Sequence, residues 1–117
     1  MISGIGIDII ELDRIKALMK RKPEFAKRIL TEKELFHYQK LKENRQIEYL
    51  AGRFAAKEAF SKAMGTGIGK SLSFQDIEVG KNNEGKPYIA KPICKGVHVS
   101  ITHSREYACA QVIIEKG

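Results

Sequence analysis

Residues 48–69, reading EYLAGRFAAKEAFSKAMGTGIG, constrain the fold of this 117-residue chain more than any other stretch. From Glu48 to Met64 the segment consists of good helix formers, with no proline and only Gly52 as a weak link. Wound at about 100° per residue, it has no clean polar side. Glu58 and Lys62 share a face with Ala51, Phe54 and Ala55, while Ala56, Phe60, Ala63 and Met64 lie on the other side. A helix apolar nearly all round is a buried helix, so the rest of the chain has to wrap it. Arg53, Lys57, Glu58 and Lys62 are then charges that are costly to bury without partners. Two readings stay open. In one, the charges form an ion-paired core, with Glu58 and Lys62 bonded four residues apart. In the other, Glu58 and Lys62 face a cleft and hold a metal ion and an anion.

The chain supplies one core, so residues 1–117 are expected to form a single domain. No apolar run approaches the roughly 20 residues of a membrane span, and the N-terminus lacks the basic-then-apolar layout of a secretory signal. Cys94 and Cys109 form no CxxC pair, which suits reduced thiols and a cytoplasmic location. The formal net charge of +7 calls for an anionic partner without choosing one.

Ahead of the central helix, Ile5, Ile7 and Ile9 alternate with Gly4, Gly6 and Asp8, the period of a strand. The isoleucines are expected to face the core, and the two glycines to let something approach the backbone on the other side. Asp8 is rare chemistry for a strand interior; it reads equally as a cap for the next helix or as a ligand. Between Arg14 and Arg28 seven basic residues are opposed only by Glu24, with Ile15, Leu18, Met19, Phe25 and Ile29 interleaved. Pro23 should split this run into two short helices. A basic surface set with apolar side chains suits an acidic amphipathic helix of another protein, or is simply a solvated face. Thr31-Glu32-Lys33-Glu34 has the form of a capping box, and Lys42–Arg45 reads as a polar link.

After the helix, Gly65 suits a left-handed cap, and residues 65–71 end in the GKS of a nucleotide-binding loop. That likeness fails, because Met64 stands where such a loop needs glycine and the segment leaves a helix instead of opening one. Strands are expected over Phe74–Val79, from Lys86-Pro87 onward, over Val97–Thr102 and over Tyr107–Ile114, with a turn at Asn82–Gly85. The whole reads as α+β, with helices from the N-terminal half on a largely antiparallel sheet. There is no HExxH, Cys/His zinc pattern or GxSxG elbow. Two carboxylates, Asp8 and Glu58, could hold Mg²⁺, whose shell is commonly completed by water and phosphate oxygens. Metal-assisted transfer at a phosphate is thus the enzyme class the residues favour. The alternative is a non-enzymatic basic module binding nucleic acid, although no zinc-finger, RNP or basic-zipper pattern supports it.

Four motifs together, Gly4-Ile5-Gly6-Ile7-Asp8, Arg53-Phe54-Ala55-Ala56-Lys57-Glu58-Ala59 with Lys62 and Gly65-Thr66-Gly67, Gly85-Lys86-Pro87, and Ser100-Ile101-Thr102-His103-Ser104, resemble the holo-acyl carrier protein synthases. These are the small, stand-alone 4′-phosphopantetheinyl transferases of fatty acid and lipid biosynthesis. The resemblance implies that fold, and transfer of phosphopantetheine from coenzyme A to a serine of apo acyl carrier protein, with release of adenosine 3′,5′-bisphosphate. It implies Asp8 and Glu58 as Mg²⁺ ligands, Lys62 beside the diphosphate, and His103 beside the nucleotide's phosphates. It also implies that Gly85, Lys86 and Pro87 line the adenosine site, that Arg14, Arg21 and Arg28 receive the carrier's acidic helix, and that the protein is a homotrimer with sites at subunit interfaces.

Overall fold

The computed structural model describes residues 1–117. Strand β1 (Ile2–Glu11) is followed by helices α1 (Leu12–Arg21), α2 (Phe25–Ile29), α3 (Glu32–Tyr38) and α4 (Glu43–Met64). A 3₁₀ turn over Phe74–Asp76 then leads into β2 (Glu78–Lys81), β3 (Pro87–Lys91), β4 (Val97–His103) and β5 (Tyr107–Glu115). Helix α4 thus starts at Glu43, absorbing the stretch expected to be a linker, and runs for 22 residues. Gly65 ends it with φ of 83°, the left-handed cap that glycine adopts without a steric penalty.

Strands β1, β5 and β4 make an antiparallel sheet in that order, and β2 pairs antiparallel with β3 in a separate hairpin. This is the mixed helix and antiparallel-sheet architecture that the hydrophobic patterning implies. Helix α4 lies across β1 and β5. It buries Leu50, Ala51, Ala55, Ala56, Ala59 and Phe60 completely. Burying Phe60 alone contributes about 1.5–3 kcal/mol, and the alanines let the sheet come close.

The local signals hold. Pro23 separates α1 from α2. Thr31 Oγ1 accepts the Glu34 amide while Glu34 Oε1 accepts the Thr31 amide, completing the capping box. The segment expected to be a strand from Phe74 instead forms the 3₁₀ turn, because Ser73 and Asp76 cap each other reciprocally; pairing starts only at Glu78.

One expectation is reversed. The glycine face of β1 points into the protein, and Ile5, Ile7 and Ile9 point out, 58%, 57% and 62% exposed. A period of two shows that a strand has two faces but not which one is covered. Here the backbone of α4 decides. A Cβ on Gly4 would stand 2.0 Å from the Ala63 carbonyl oxygen, and one on Gly6 1.8 Å from that of Ala59. Only glycine lets the helix lie this close, so the backbone approach inferred from the glycines is real and the approaching group is the helix itself.

Candidate active site

The same contact builds the site. Gly4 meets Ala63 and Gly6 meets Ala59, so β1 and α4 run in opposite directions. Two strand residues advance about 6.6 Å and four helical residues about 6 Å. The same step sets Asp8, the next inward residue of β1, level with Ala55, and the longer side chains of Glu58 and Lys62, leaning back toward the helix N-terminus, come near it. Lys62 Nζ donates to Asp8 Oδ1 at 3.2 Å and to the Ile7 carbonyl at 3.0 Å. Asp8 caps nothing: α1 begins at Leu12, and no side chain closes its N-terminus.

Glu58 is half-buried on the same helical face, and its carboxyl is held above the usual glutamate range. Burial is the largest cause, the Asp8 charge adds to it, and Lys62 opposes both. Glu58 and Asp8, with Lys62 alongside, form a set of oxygen acceptors in which Glu58 is costly to ionise. Hard oxygen donors of this kind fit Mg²⁺, which needs only one or two carboxylates from the protein. No third acidic, His or Cys side chain joins them, so water and substrate oxygens would fill the remaining positions. Of the two readings open at the start, the first fails in its detail, since Glu58 and Lys62 do not bond each other: Lys62 pairs with Asp8 instead and stays exposed. The ion-paired core exists, but one residue away: Lys57 pairs with Glu34 at 2.6 Å, both out of solvent.

The other expected residues lie elsewhere. His103 ends β4, with Nε2 3.5 Å from Glu48 Oε2; ten residues of helix, about 15 Å, separate Glu48 from Glu58. Gly85, with φ of 84°, Lys86 and Pro87 form the β2–β3 turn. Lys86 and Pro87 share a cavity with His98, Ser100, Gln111 and Ile113. The pairing register sets Ser100 and Gln111 level with Ile7, and Ile101 and Ala110 level with Asp8. The turn thus borders the outer face of the sheet, while Asp8 lies on the inner one. One chain does not bring them together.

Arg21 and Arg28 flank a groove of about 620 Å³ lined by Leu18, Phe25, Ile29 and Phe74. Arg14 is exposed two turns earlier on α1. Across α4 from Glu58, Arg53 is 7% exposed, and its guanidinium lies 4.1 Å from the Tyr49 ring centre with Nε unpartnered. It lines a smaller cavity with Lys33, His37 and Lys81. Burial and then the charges of Arg53, Lys81 and Lys40 hold the His37 imidazole below its ordinary pKa. The sequence marked Arg53 as a charge needing a partner but gave no sign of where it would point.

A carboxylate pair with a lysine, brought together by a strand–helix contact, is the kind of site that suits phosphate chemistry, and comparison with known proteins gives the family. The chain belongs to the 4′-phosphopantetheinyl transferase superfamily, whose model matches residues 4–112. Its relatives within that superfamily are holo-[acyl-carrier-protein] synthases. That of Bacillus velezensis is 62% identical over 99% of this chain and 98% of its own length. That of Listeria innocua is 55% identical over 99% of this chain and 100% of its own. Among solved structures, the Bacillus anthracis synthase in complex with CoA (3′,5′-ADP) superposes with a TM-score of 0.93 at 54% identity, covering 100% of this chain and 99% of that one. The Neisseria meningitidis enzyme gives 0.88 at 38% identity, covering 99% and 100%.

Proposed function

We propose that this protein transfers the 4′-phosphopantetheine group of coenzyme A to a serine hydroxyl of apo acyl carrier protein, with Mg²⁺, releasing adenosine 3′,5′-bisphosphate. The observation that carries this reading is the convergence of Asp8, Glu58 and Lys62, in a chain whose relatives are named holo-[acyl-carrier-protein] synthases. Asp8 and Glu58 would hold the metal, which when bound neutralises charge on the diphosphate and its leaving oxygen. Lys62 swings from Asp8 toward the diphosphate and stabilises the charge that develops there. The serine oxygen attacks the β-phosphorus, the bond from that phosphorus to the bridging oxygen breaks, and the nucleotide departs. The hydroxyl proton passes to a base or to solvent. Bringing the hydroxyl into line is largely a positioning problem, which the Arg14, Arg21 and Arg28 surface addresses by orienting an acidic helix.

The Gly85-Lys86-Pro87 turn and His103 would serve as nucleotide contacts belonging to a neighbouring copy. The exposed isoleucine stripe of β1 supports this, since it offers an apolar face beside Asp8. A homotrimer completes three such sites. Incubation with coenzyme A, Mg²⁺ and apo carrier should add the mass of the phosphopantetheine arm to the carrier. An unchanged carrier mass would reject the reading.

A further inference from the structure

Lys57 has no part in the chemistry above, yet its ammonium is fully satisfied although wholly buried. Nζ donates to Glu34 Oε1 at 2.6 Å, to the Ile29 carbonyl at 2.6 Å and to the Phe74 carbonyl at 3.1 Å. A lysine ammonium has three protons to give, and each finds an acceptor on a different segment. Glu34 is itself held, with Oε1 accepting the Thr31 amide at 2.8 Å and Oε2 the Val79 amide at 2.7 Å.

Ile29 and Phe74 both line the groove flanked by Arg21 and Arg28, from α2 and from the 3₁₀ turn. The residue after Lys57 is Glu58. A single ammonium therefore connects two walls of the groove to the turn of α4 that carries the candidate metal ligand. The Gln75 side-chain amide, bonded to the Lys27 carbonyl, links the same two walls at the rim but does not reach α4. The Lys57–Glu34 pair alone could be exchanged for apolar groups of similar volume at little net cost; what the ammonium adds is its two bonds to backbone carbonyls. The two backbone carbonyls would then lose their donor, and with it the point that fixes both walls against α4.

We propose that Lys57 is a positioning residue for carrier recognition: it holds the groove in the shape, and at the distance from Asp8 and Glu58, that an acidic carrier helix requires. The proposal rests on reading the Arg21–Arg28 groove as the carrier site.

The test uses Glu34→Gln with Lys57→Met in one chain, so that no lone charge is left buried. The expected result is a KM for apo carrier raised about tenfold, with the KM for coenzyme A held within about twofold. A loss of folded protein lowers kcat and leaves both KM values alone, so it does not imitate this split. A rise in carrier KM below about fivefold, or an equal rise in both KM values, overturns the proposal. Arg28→Ala, assayed alongside, separates the two ideas: if it leaves carrier KM unchanged, the groove reading fails and the lysine proposal falls with it. If the paired variant does not fold, nitrogen NMR of the buried ammonium in the unaltered protein decides. Adding apo carrier should shift that resonance, and an unmoved resonance at saturating carrier overturns the proposal.

Discussion

Gly6→Ala tests the contact from which the site is built. The new Cβ would lie 1.8 Å from the Ala59 carbonyl oxygen and 2.8 Å from the Ala63 amide nitrogen. Ordinary contact begins near 3.4 Å, so β1 and α4 must separate by about 1.6 Å at this point. Both obstacles are helix backbone, so neither can turn aside as a side chain would. Overpacking of this sort costs about 1–3 kcal/mol, and an unyielding backbone puts Gly6→Ala at the upper end. Asp8 is the next inward residue, and its 3.2 Å contact with Lys62 would open beyond hydrogen-bonding distance. A displacement of about 1 Å in a positioned group can lower turnover about 100-fold. Urea unfolding should therefore show a lowered midpoint, and the carrier mass assay a kcat/KM reduced about 100-fold. Gly69→Ala serves as control, since nothing lies within 4 Å of its added Cβ; it should fall within about 0.5 kcal/mol of the parent. If Gly6→Ala matched that control in stability and turnover, the account of how the site is assembled would be wrong.

Other perturbations address the charges and the exposed face. Glu58 binds its proton more tightly folded than unfolded, so its contribution to stability falls as pH rises from the ordinary glutamate range through the raised value. Glu58→Gln should therefore raise the metal-free melting temperature at neutral pH while abolishing Mg²⁺-dependent turnover; a lowered melting temperature would show that Asp8 and burial do not strain this carboxylate. Mg²⁺ binding should weaken as pH falls through the same range, because protons compete for the ligand, and titration calorimetry at stepped pH would expose a flat response. Ile7→Asp places a charge in the exposed stripe of β1 without touching the inner face. On the proposed trimer, sedimentation should show dissociation with activity lost in parallel, and an intact, active oligomer would remove the stripe from the interface.

The parts of this structure legible in the sequence are those fixed within a few residues. Thr31 and Glu34 cap their own helix, Pro23 interrupts a helix because the ring cannot continue it, and Gly65 closes α4 because only glycine takes φ of 83° easily. The helix apolar on all sides was recognisable as central, and Asp8 and Glu58 as candidate partners. Less legible was anything decided between distant segments. Glu34 was visible as a capping residue, but its pairing with Lys57, 23 positions away, follows from how α3 packs on α4. The orientation of β1 is hidden in the sequence for the same reason. Alternation displays two faces, and bulk argued for burying the isoleucines; what settled the matter was the need for two glycines against the backbone of α4.

That reversal also accounts for the separation of the candidate site residues. With the glycine face against α4, Asp8 is drawn inward to Glu58 and Lys62, and every intervening isoleucine is turned to solvent. The Lys86-Pro87 turn stays on the outer face, where it shares a cavity with Ser100 and Gln111. A sheet separates the two groups, and no rotation of side chains can cross it. If both act on one nucleotide, they must come from different copies of the chain. The isoleucine stripe then has a use: it is the apolar surface next to Asp8 against which a second copy can set its own turn. A polar β1 outer face would leave the carboxylate pair intact and the site half-built.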